Sequence, residues 1–279
     1  MARTARIILL VVMMISPAWG DDVLRVISLY PGHSDNIYAM GGGNMLVALS
    51  DNDDADLMPE LPRISLRSGA EKVLSLRPDV VITRSFAERI NPGMYDVLRR
   101  AGVRVLSIDP PSWDDFPDYL RALALELGLD PEAAISRLNA IHEDISRRAK
   151  NSHHPRVFLE ATFREIHTCS PGSWAARLIA LAGGVNIASE AVPIRTGSAI
   201  ASWGVERVLK NAESIDVYII QSGAMNSAGV RGFNTREWAG ALDNARVYEI
   251  PERDISRPSL LGLERGGNIL LRIFQGEER

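Results

Sequence analysis

The chain has 279 residues, of which 46% are hydrophobic and 24% charged, and its formal net charge is −4. This balance is typical of a folded globular protein and excludes a disordered or fibrous chain, while the acidic charge argues against a nucleic-acid-binding surface. At roughly 100–200 residues per domain, the length predicts two domains.

Residues 1–20 show the order of parts that is typical of a secretory signal. Two arginines precede an apolar run over residues 7–15, and a small-x-small pattern ends at Gly20. The run is shorter than the roughly 20 residues that span a bilayer. We therefore predict a signal peptide over residues 1–20 that is cleaved after export to the periplasm, with a retained membrane anchor as the alternative. The lone cysteine, Cys169, excludes an internal disulfide.

Short apolar runs alternate with helical patterns in the first half of the chain. The predicted strands are residues 25–29, 80–83 and 103–108. Ser34 is predicted to cap a brief helix that ends at the glycines of residues 41–43, and residues 95–102 have helical spacing with a glycine stop. Strands that alternate with helices predict a parallel α/β sheet.

Two helices are predicted in the middle of the chain. Ser112 and Asp115 match a capping pattern for a helix that runs to about Gly128. Asp130 and Pro131 then fit the cap and first position of a second helix, in which isoleucines and a leucine form one apolar stripe. This second helix is long, and we predict that it connects two lobes.

The second half repeats the organisation of the first. The predicted strands are residues 156–161, 216–221 and 246–250, and residues 173–184 read as a helix with a glycine end. Trp174 in this helix is predicted to pack in the core rather than to contact a ligand. The segment EKVLSLRPDVVI at residues 71–82 is similar to the segment ERVLKNAESIDVYII at residues 206–220. The repeat marks equivalent places in two similar lobes.

Several segments together carry a resemblance to a known family. They are LRVISLYPGHSDNIYAMG, SGAEKVLSLRPDVVI, AGVRVLSIDPPSWDDF, SWAARLIALAGGVNIAS, ERVLKNAESIDVYII and NARVYEIPERDISRPS. In this order they resemble the helical-backbone class of periplasmic substrate-binding proteins, which serve ABC importers of iron–siderophores, haem and cobalamin. The resemblance covers nearly the whole chain after residue 20.

The resemblance implies an α/β fold with two Rossmann-like lobes, a single long connecting helix and a ligand cleft between the lobes. On this chain the N-terminal lobe would span residues 21–129, the connecting helix residues 130–152 and the C-terminal lobe residues 153–279. It also implies that an exposed glutamate on each lobe docks on the membrane permease, and these glutamates correspond to Glu71 and Glu206. As an alternative, each glutamate could simply offset the dipole of its own helix, a role that needs no binding partner.

The loops after the predicted strands are expected to line the cleft, because ligands of α/β folds bind outside the carboxyl ends of the strands. Aromatic and basic side chains in these loops suit a ligand with flat apolar faces and peripheral anionic groups. The predicted ligand-binding residues are Tyr30, His33, Arg84, Phe86, Phe163, His167, Arg195, Trp203 and Arg257. Each has an alternative, since the aromatic residues can pack under loops and the arginines can be solvated.

The resemblance implies a monomer that binds a small metal chelate and an ABC permease, with no nucleic acid, no resident cofactor and no catalytic residue. We rank a ferric siderophore first and a corrinoid next, above haem or an oxyanion. The stretch before Glu71 lacks the tyrosine that many haem-binding members have, and it carries arginines instead. The sequence contains no G-x-S-x-G motif, which argues against a serine hydrolase.

Two further alternatives stay open. A bare metal site would use His33 and His167, with Glu165 and Asp254 as oxygen ligands, although no metal-binding motif is present. An extracytoplasmic sensor could use the same two lobes without a transporter.

Overall fold

A computed structural model describes residues 23–277, so the predicted signal peptide lies outside the described residues. The strands are β1 (Val26–Ser28), β2 (Leu46–Ser50), β3 (Arg63–Ile64), β4 (Val80–Thr83), β5 (Arg104–Ser107), β6 (Arg156–Glu160), β7 (Thr168–Cys169), β8 (Val185–Asn186), β9 (Val192–Pro193), β10 (Ile200–Ser202), β11 (Val217–Ser222) and β12 (Arg246–Pro251). The helices are α1 (Pro31–Ala39), α2 (Ala70–Leu74), α3 (Ser85–Ile90), α4 (Pro92–Arg100), α5 (Phe116–Leu127), α6 (Pro131–Ala149), α7 (Trp174–Leu181), α8 (Val205–Lys210), α9 (Gly229–Phe233), α10 (Glu252–Ile255) and α11 (Leu260–Gln275). In this part of the chain, no helix combines the length and the apolar character needed to cross a membrane.

The N-terminal lobe is built on a parallel sheet with the strand order β3-β2-β1-β4-β5. The central strands β1 and β4 are buried along their whole length, which explains why their residues form continuous apolar runs. The sequence predictions of β1, β4 and β5 are confirmed. Strand β2 was not predicted, because its leucines and alanine favour a helix as readily as a strand.

The C-terminal lobe has a second parallel sheet, in the order β12-β11-β6-β8, and a small antiparallel sheet, β7-β10-β9. The predictions of β6, β11 and β12 are confirmed. The strands of the antiparallel sheet are two or three residues long, too short to give a periodic signal. The expected α/β class with two Rossmann-like lobes is confirmed.

Helix α6 joins the two lobes. Its N-cap is Asp130, whose Oδ1 accepts hydrogen bonds from the backbone N–H groups of Glu132 at 2.9 Å and Ala133 at 3.2 Å. This is the predicted cap, with Pro131 at the first helical position. The apolar stripe of α6 packs against α5 and α11. The helix itself ends at Ala149, whereas the lobe boundaries at residues 130 and 152 stay a prediction.

Two other predicted caps differ in the structure. Ser34 lies inside α1, whose N-cap is Tyr30, and its hydroxyl donates to Ser28 Oγ at 2.8 Å. Helix α1 ends at Ala39, before the glycines. Ser112 does contact Asp115, with 2.6 Å between Oγ and Oδ2, but both residues precede α5, which begins at Phe116.

Helix α11 was not predicted, and it contacts helices of both lobes. It packs on α1 of the N-terminal lobe, on α6 and on α7 of the C-terminal lobe. One continuous apolar core therefore contains residues of both sheets together with this helix. At Gly266, an added Cβ would lie only 1.7 Å from the carbonyl oxygen of Asp254, so the glycine permits this close packing against α10.

Candidate functional site

A cleft of about 490 Å³ lies between the lobes, at the carboxyl ends of both parallel sheets. This is the place expected for a ligand site in an α/β fold. Its lining residues are Leu29, Tyr30, Pro31, Asn52, Asp54, Leu66 and Arg84 from the N-terminal lobe, and Ser222, Gly223, Ala224, Pro251, Glu252, Arg253, Ser256 and Arg257 from the C-terminal lobe. Three of the predicted ligand-binding residues, Tyr30, Arg84 and Arg257, are among them.

Arg84 lies between two aromatic rings on the N-terminal side of the cleft. It follows β4 directly, and its guanidinium carbon is 4.8 Å from the ring centre of Tyr30 and 5.4 Å from that of Phe86. Burial raises the pKa of Tyr30, so its phenol is neutral. The structure thus brings together three predicted residues, with Phe86 half exposed at the rim.

Arg257 joins the lobes at the floor of the cleft. Its guanidinium donates to Oδ2 of Asp35 at 3.3 Å and to Oδ2 of Asp54 at 3.1 Å. The neighbouring Arg253 donates to Asp56 Oδ1 at 3.2 Å. These carboxylates belong to the N-terminal lobe, so the two arginines stabilise the arrangement of the lobes as well as line the cleft.

Glu252 and Gly223 form much of the C-terminal side of the cleft, and neither was singled out from the sequence. Gly223 follows β11, and the Glu252 side chain lies so close that a Cβ added to Gly223 would be 2.7 Å from Glu252 Oε2. Glu252 directly follows β12 and begins α10. Both residues lie directly after strands, but only aromatic, basic and similar side chains were selected from these loops, so a glycine and a glutamate were missed.

Phe163 and His167 also follow a strand, β6, but they do not line the cleft. The Arg236 guanidinium lies 4.5 Å from the ring centre of Phe163 and donates to Glu160 Oε1 at 2.8 Å. His167 Nδ1 contacts Thr162 Oγ1 at 3.1 Å. The buried carboxylate of Glu160 also accepts from two other side chains, so this cluster stabilises the end of β6.

The expectation that His33 faces the cleft is wrong. Its ring is fully buried, with Nδ1 2.7 Å from Tyr119 Oη and Nε2 2.9 Å from the carbonyl oxygen of Ile108. Burial lowers the pKa of His33 to about 4, so the imidazole is neutral at pH 7. Both ring nitrogens are occupied by protein groups, which leaves neither for a metal or a ligand.

Trp203 and Arg195 also lie away from the cleft lining. Trp203 packs on the core of the C-terminal lobe near Phe158, and the Arg207 guanidinium is 5.2 Å from its ring centre. Arg195 is exposed on the loop between β9 and β10. By contrast, Trp174 is buried against Phe116, so its predicted core role is confirmed.

Glu71 and Glu206 occupy equivalent places in the two lobes. Each is exposed in the first turn of a short helix, α2 or α8, and each helix precedes the central strand β4 or β11. Permease docking by these residues stays a prediction. Within residues 23–277, no group of three or more His, Cys, Asp and Glu side chains is arranged to hold a metal ion.

The chain is similar to known binding proteins along most of its length. It is 26% identical over 245 residues to the vitamin B12-binding protein of Vibrio cholerae serotype O1. The aligned region covers 84% of this chain and 83% of that protein. It is 28% identical over 189 residues to the vitamin B12-binding protein of Yersinia pseudotuberculosis, covering 66% of each.

Solved structures share the fold. The apo periplasmic heme-binding protein from Roseiflexus sp. RS-1 superposes with a TM-score of 0.69 at 22% identity, covering 90% of this chain and 99% of that one. The periplasmic vitamin B12-binding protein of Vibrio cholerae gives 0.61 at 24% identity, covering 91% and 98%. The sequence model of a protein family described as "periplasmic binding protein" matches residues 26–253 of the chain. The chain therefore belongs to the periplasmic binding protein family.

Proposed function

We propose that the protein is the periplasmic solute-binding component of an ABC importer and that it captures a corrinoid such as cobalamin. Membership of the binding-protein family, with a cleft at the carboxyl ends of two parallel sheets, supports capture and release without covalent chemistry. The names of the vitamin B12-binding relatives support a corrinoid as the ligand, in preference to the ferric siderophore that was ranked first from the sequence.

The cleft chemistry supports a large ligand with polar edges. An aromatic ring and arginine from one lobe face carboxylate, hydroxyl and backbone groups from the other. Flat ligands with peripheral amides or acids can contact both kinds of surface. Haem is the second candidate, because several proteins of the same fold are named for heme binding. Tyr30, the tyrosine that lines the cleft, has a raised pKa, which disfavours the phenolate that would bind iron.

Direct titration tests the ligand class. The mature protein is titrated with cyanocobalamin, hemin and ferrichrome, a hydroxamate siderophore, and binding is followed by calorimetry and visible absorption. We expect cyanocobalamin to bind most tightly. Tightest binding of hemin or ferrichrome would replace the corrinoid with that ligand class, and no binding of any of the three would contradict uptake of a metal chelate.

We also propose that Glu71 and Glu206 dock on the permease. Their exposed carboxylates stand at equivalent positions of the two lobes, which suits contact with a pair of similar subunits. Replacing both with alanine should leave the affinity for cyanocobalamin unchanged and abolish uptake in cells. Glu132→Ala is the matched control, because Glu132 is also an exposed first-turn glutamate, on α6. Normal uptake by the double variant would disprove docking by this pair.

A further inference from the structure

The charged residues of the cleft divide into paired and unpaired groups. Asp54 lies within 4.0 Å of both Arg253 and Arg257, and these arginines also contact other aspartates of the N-terminal lobe. These side chains balance one another's charge. They hold the lobes together, so their charges are largely unavailable to a ligand.

Arg84 and Glu252 are the two remaining charged residues of the cleft. Among residues 23–277, neither has an oppositely charged group within 4.0 Å or a side-chain hydrogen bond to the protein. An arginine or carboxylate that faces a binding cleft without a partner gains most from a ligand group of the opposite character. We call Arg84 and Glu252 the opposed pair.

The two members of the opposed pair lie on opposite sides of the cleft and line the same binding space. Arg84 comes from the N-terminal lobe after β4, and Glu252 comes from the C-terminal lobe after β12. Tyr30 lines the same cleft as both members of the pair, and the guanidinium carbon of Arg84 is 4.8 Å from its ring centre.

Both members are positioned before a ligand arrives. The guanidinium of Arg84 packs against the rings of Tyr30 and Phe86, which limits its rotamers. The carboxylate of Glu252 occupies the space that a side chain at Gly223 would fill. Groups that are already placed lose less conformational entropy on binding, so their contribution to affinity and selectivity is larger.

We propose that the opposed pair selects ligands that present an anionic group to Arg84 and a hydrogen-bond donor, such as an amide N–H, to Glu252. This inference rests on the proposed function and deepens it. Cobalamin has both, since it carries a phosphate and peripheral amides. Haem has two carboxylates and no amide donor, so Glu252 repels it. The pair thereby discriminates between two ligands of similar size and flatness.

The test uses three probes with the wild-type protein and Gln variants. Cyanocobalamin has phosphate and amides, dicyanocobinamide has amides without the nucleotide phosphate, and hemin has carboxylates only. Arg84→Gln should weaken cyanocobalamin binding by roughly 10–100-fold, as expected for a charge-assisted hydrogen bond, and change dicyanocobinamide binding by less than about threefold. Glu252→Gln should weaken both corrinoids and tighten hemin binding by about tenfold.

Two further kinds of variant separate selection from damage to the fold. Gly223→Ala should displace the Glu252 carboxylate and shift the ratio of hemin to cyanocobalamin affinity in the same direction as Glu252→Gln. Arg195→Gln and Glu190→Gln, at exposed positions outside the cleft lining, should leave all three affinities unchanged. Circular dichroism melting curves check that each variant is folded.

The outcomes distinguish the inference from the proposed function. If the wild-type protein binds cyanocobalamin but Arg84→Gln weakens both corrinoids equally, or Glu252→Gln leaves the hemin-to-cyanocobalamin ratio unchanged, selection by the opposed pair is wrong and corrinoid binding stands. If the wild-type protein binds none of the three probes, both proposals are wrong.

Discussion

Asp53 has a buried carboxyl group next to residues that line the cleft, and its ionisation lowers the stability of the folded protein. Its side chain accepts a 2.8 Å hydrogen bond from the backbone N–H of Ser50, but burial raises its pKa from 3.8 to about 7. The folded protein therefore holds this proton between about pH 4 and 7, where the unfolded chain has lost it. The stabilisation by protonated Asp53 is full below pH 3.8 and is lost as the pH rises through 7.

Asp53→Asn should remove the loss of stability that the wild-type protein shows as the pH rises. Relative to the wild-type protein, the free energy of unfolding of the variant should increase by a few kcal/mol between pH 4 and pH 7, at about 1.4 kcal/mol per unit of pKa shift. Urea unfolding at several pH values measures the difference. His33 acts in the opposite direction, since its folded pKa of about 4 makes stability fall as the pH falls below 6.5. That effect is common to both proteins and cancels.

Asp51→Asn is the matched control, because Asp51 is exposed two residues away. Asp51→Asn should change the free energy of unfolding by less than about 0.5 kcal/mol, as is usual for an exposed substitution. A difference for Asp53→Asn that stays constant between pH 4 and pH 7 would show that folding does not raise the pKa of this carboxyl group.

At the scale of elements, glycine decides how closely α11 packs. A Cβ at Gly266 would lie 1.7 Å from the Asp254 carbonyl oxygen, so Gly266→Ala forces α11 away from α10. We expect destabilisation by about 1–3 kcal/mol or more, although alanine is the better helix former. Gly93, in the first turn of α4, has nothing within 4 Å of an added Cβ, so Gly93→Ala should stabilise by up to about 1 kcal/mol. Urea unfolding compares the two, and a neutral Gly266→Ala would contradict the close packing.

The elements that the sequence predicted carry local signals, whereas α11 depends on contacts with distant residues. The runs that became β4 and β11 are rich in β-branched residues, and Asp130-Pro131 carries a local start signal for α6, so these elements were predicted. Helix α11 was not, because two adjacent glycines weaken its helical pattern, and the reason for Gly266 lies in a distant backbone carbonyl. Local pattern does not contain such tertiary contacts.

The candidate site shows the same division between local and distant information. Tyr30, Arg84 and Arg257 were predicted to face the cleft because each lies in a loop that follows a strand-like segment. His33 was predicted to lie in such a loop, yet it falls in the first turn of α1, and its partners on α5 and after β5 hold it inside the lobe. The pairing of Arg257 with Asp54 spans 203 residues and leaves no sequence pattern.

For the whole molecule, the contacts between the lobes predict cooperative unfolding. Asn36, on α1 of the N-terminal lobe, is fully buried and bonds to the start of α11: its Oδ1 accepts from Leu260 N–H at 2.9 Å, and its Nδ2 donates to the Pro258 carbonyl oxygen at 3.2 Å. The continuous core runs through the same region. The lobes should therefore unfold in a single transition, because neither sheet keeps its covering helices without the other.

Asn36→Ala tests this coupling. Removal of the amide leaves buried backbone groups unpaired, and we expect a loss of about 2–4 kcal/mol that lowers the whole transition without splitting it. Urea unfolding is followed by tryptophan fluorescence and by far-ultraviolet circular dichroism, whose curves should coincide for both proteins. Asn139→Ala, at an exposed site on α6, should change stability by less than about 0.5 kcal/mol. Two separate transitions in the wild-type protein would mean that the lobes fold independently and that α11 contributes little to their connection.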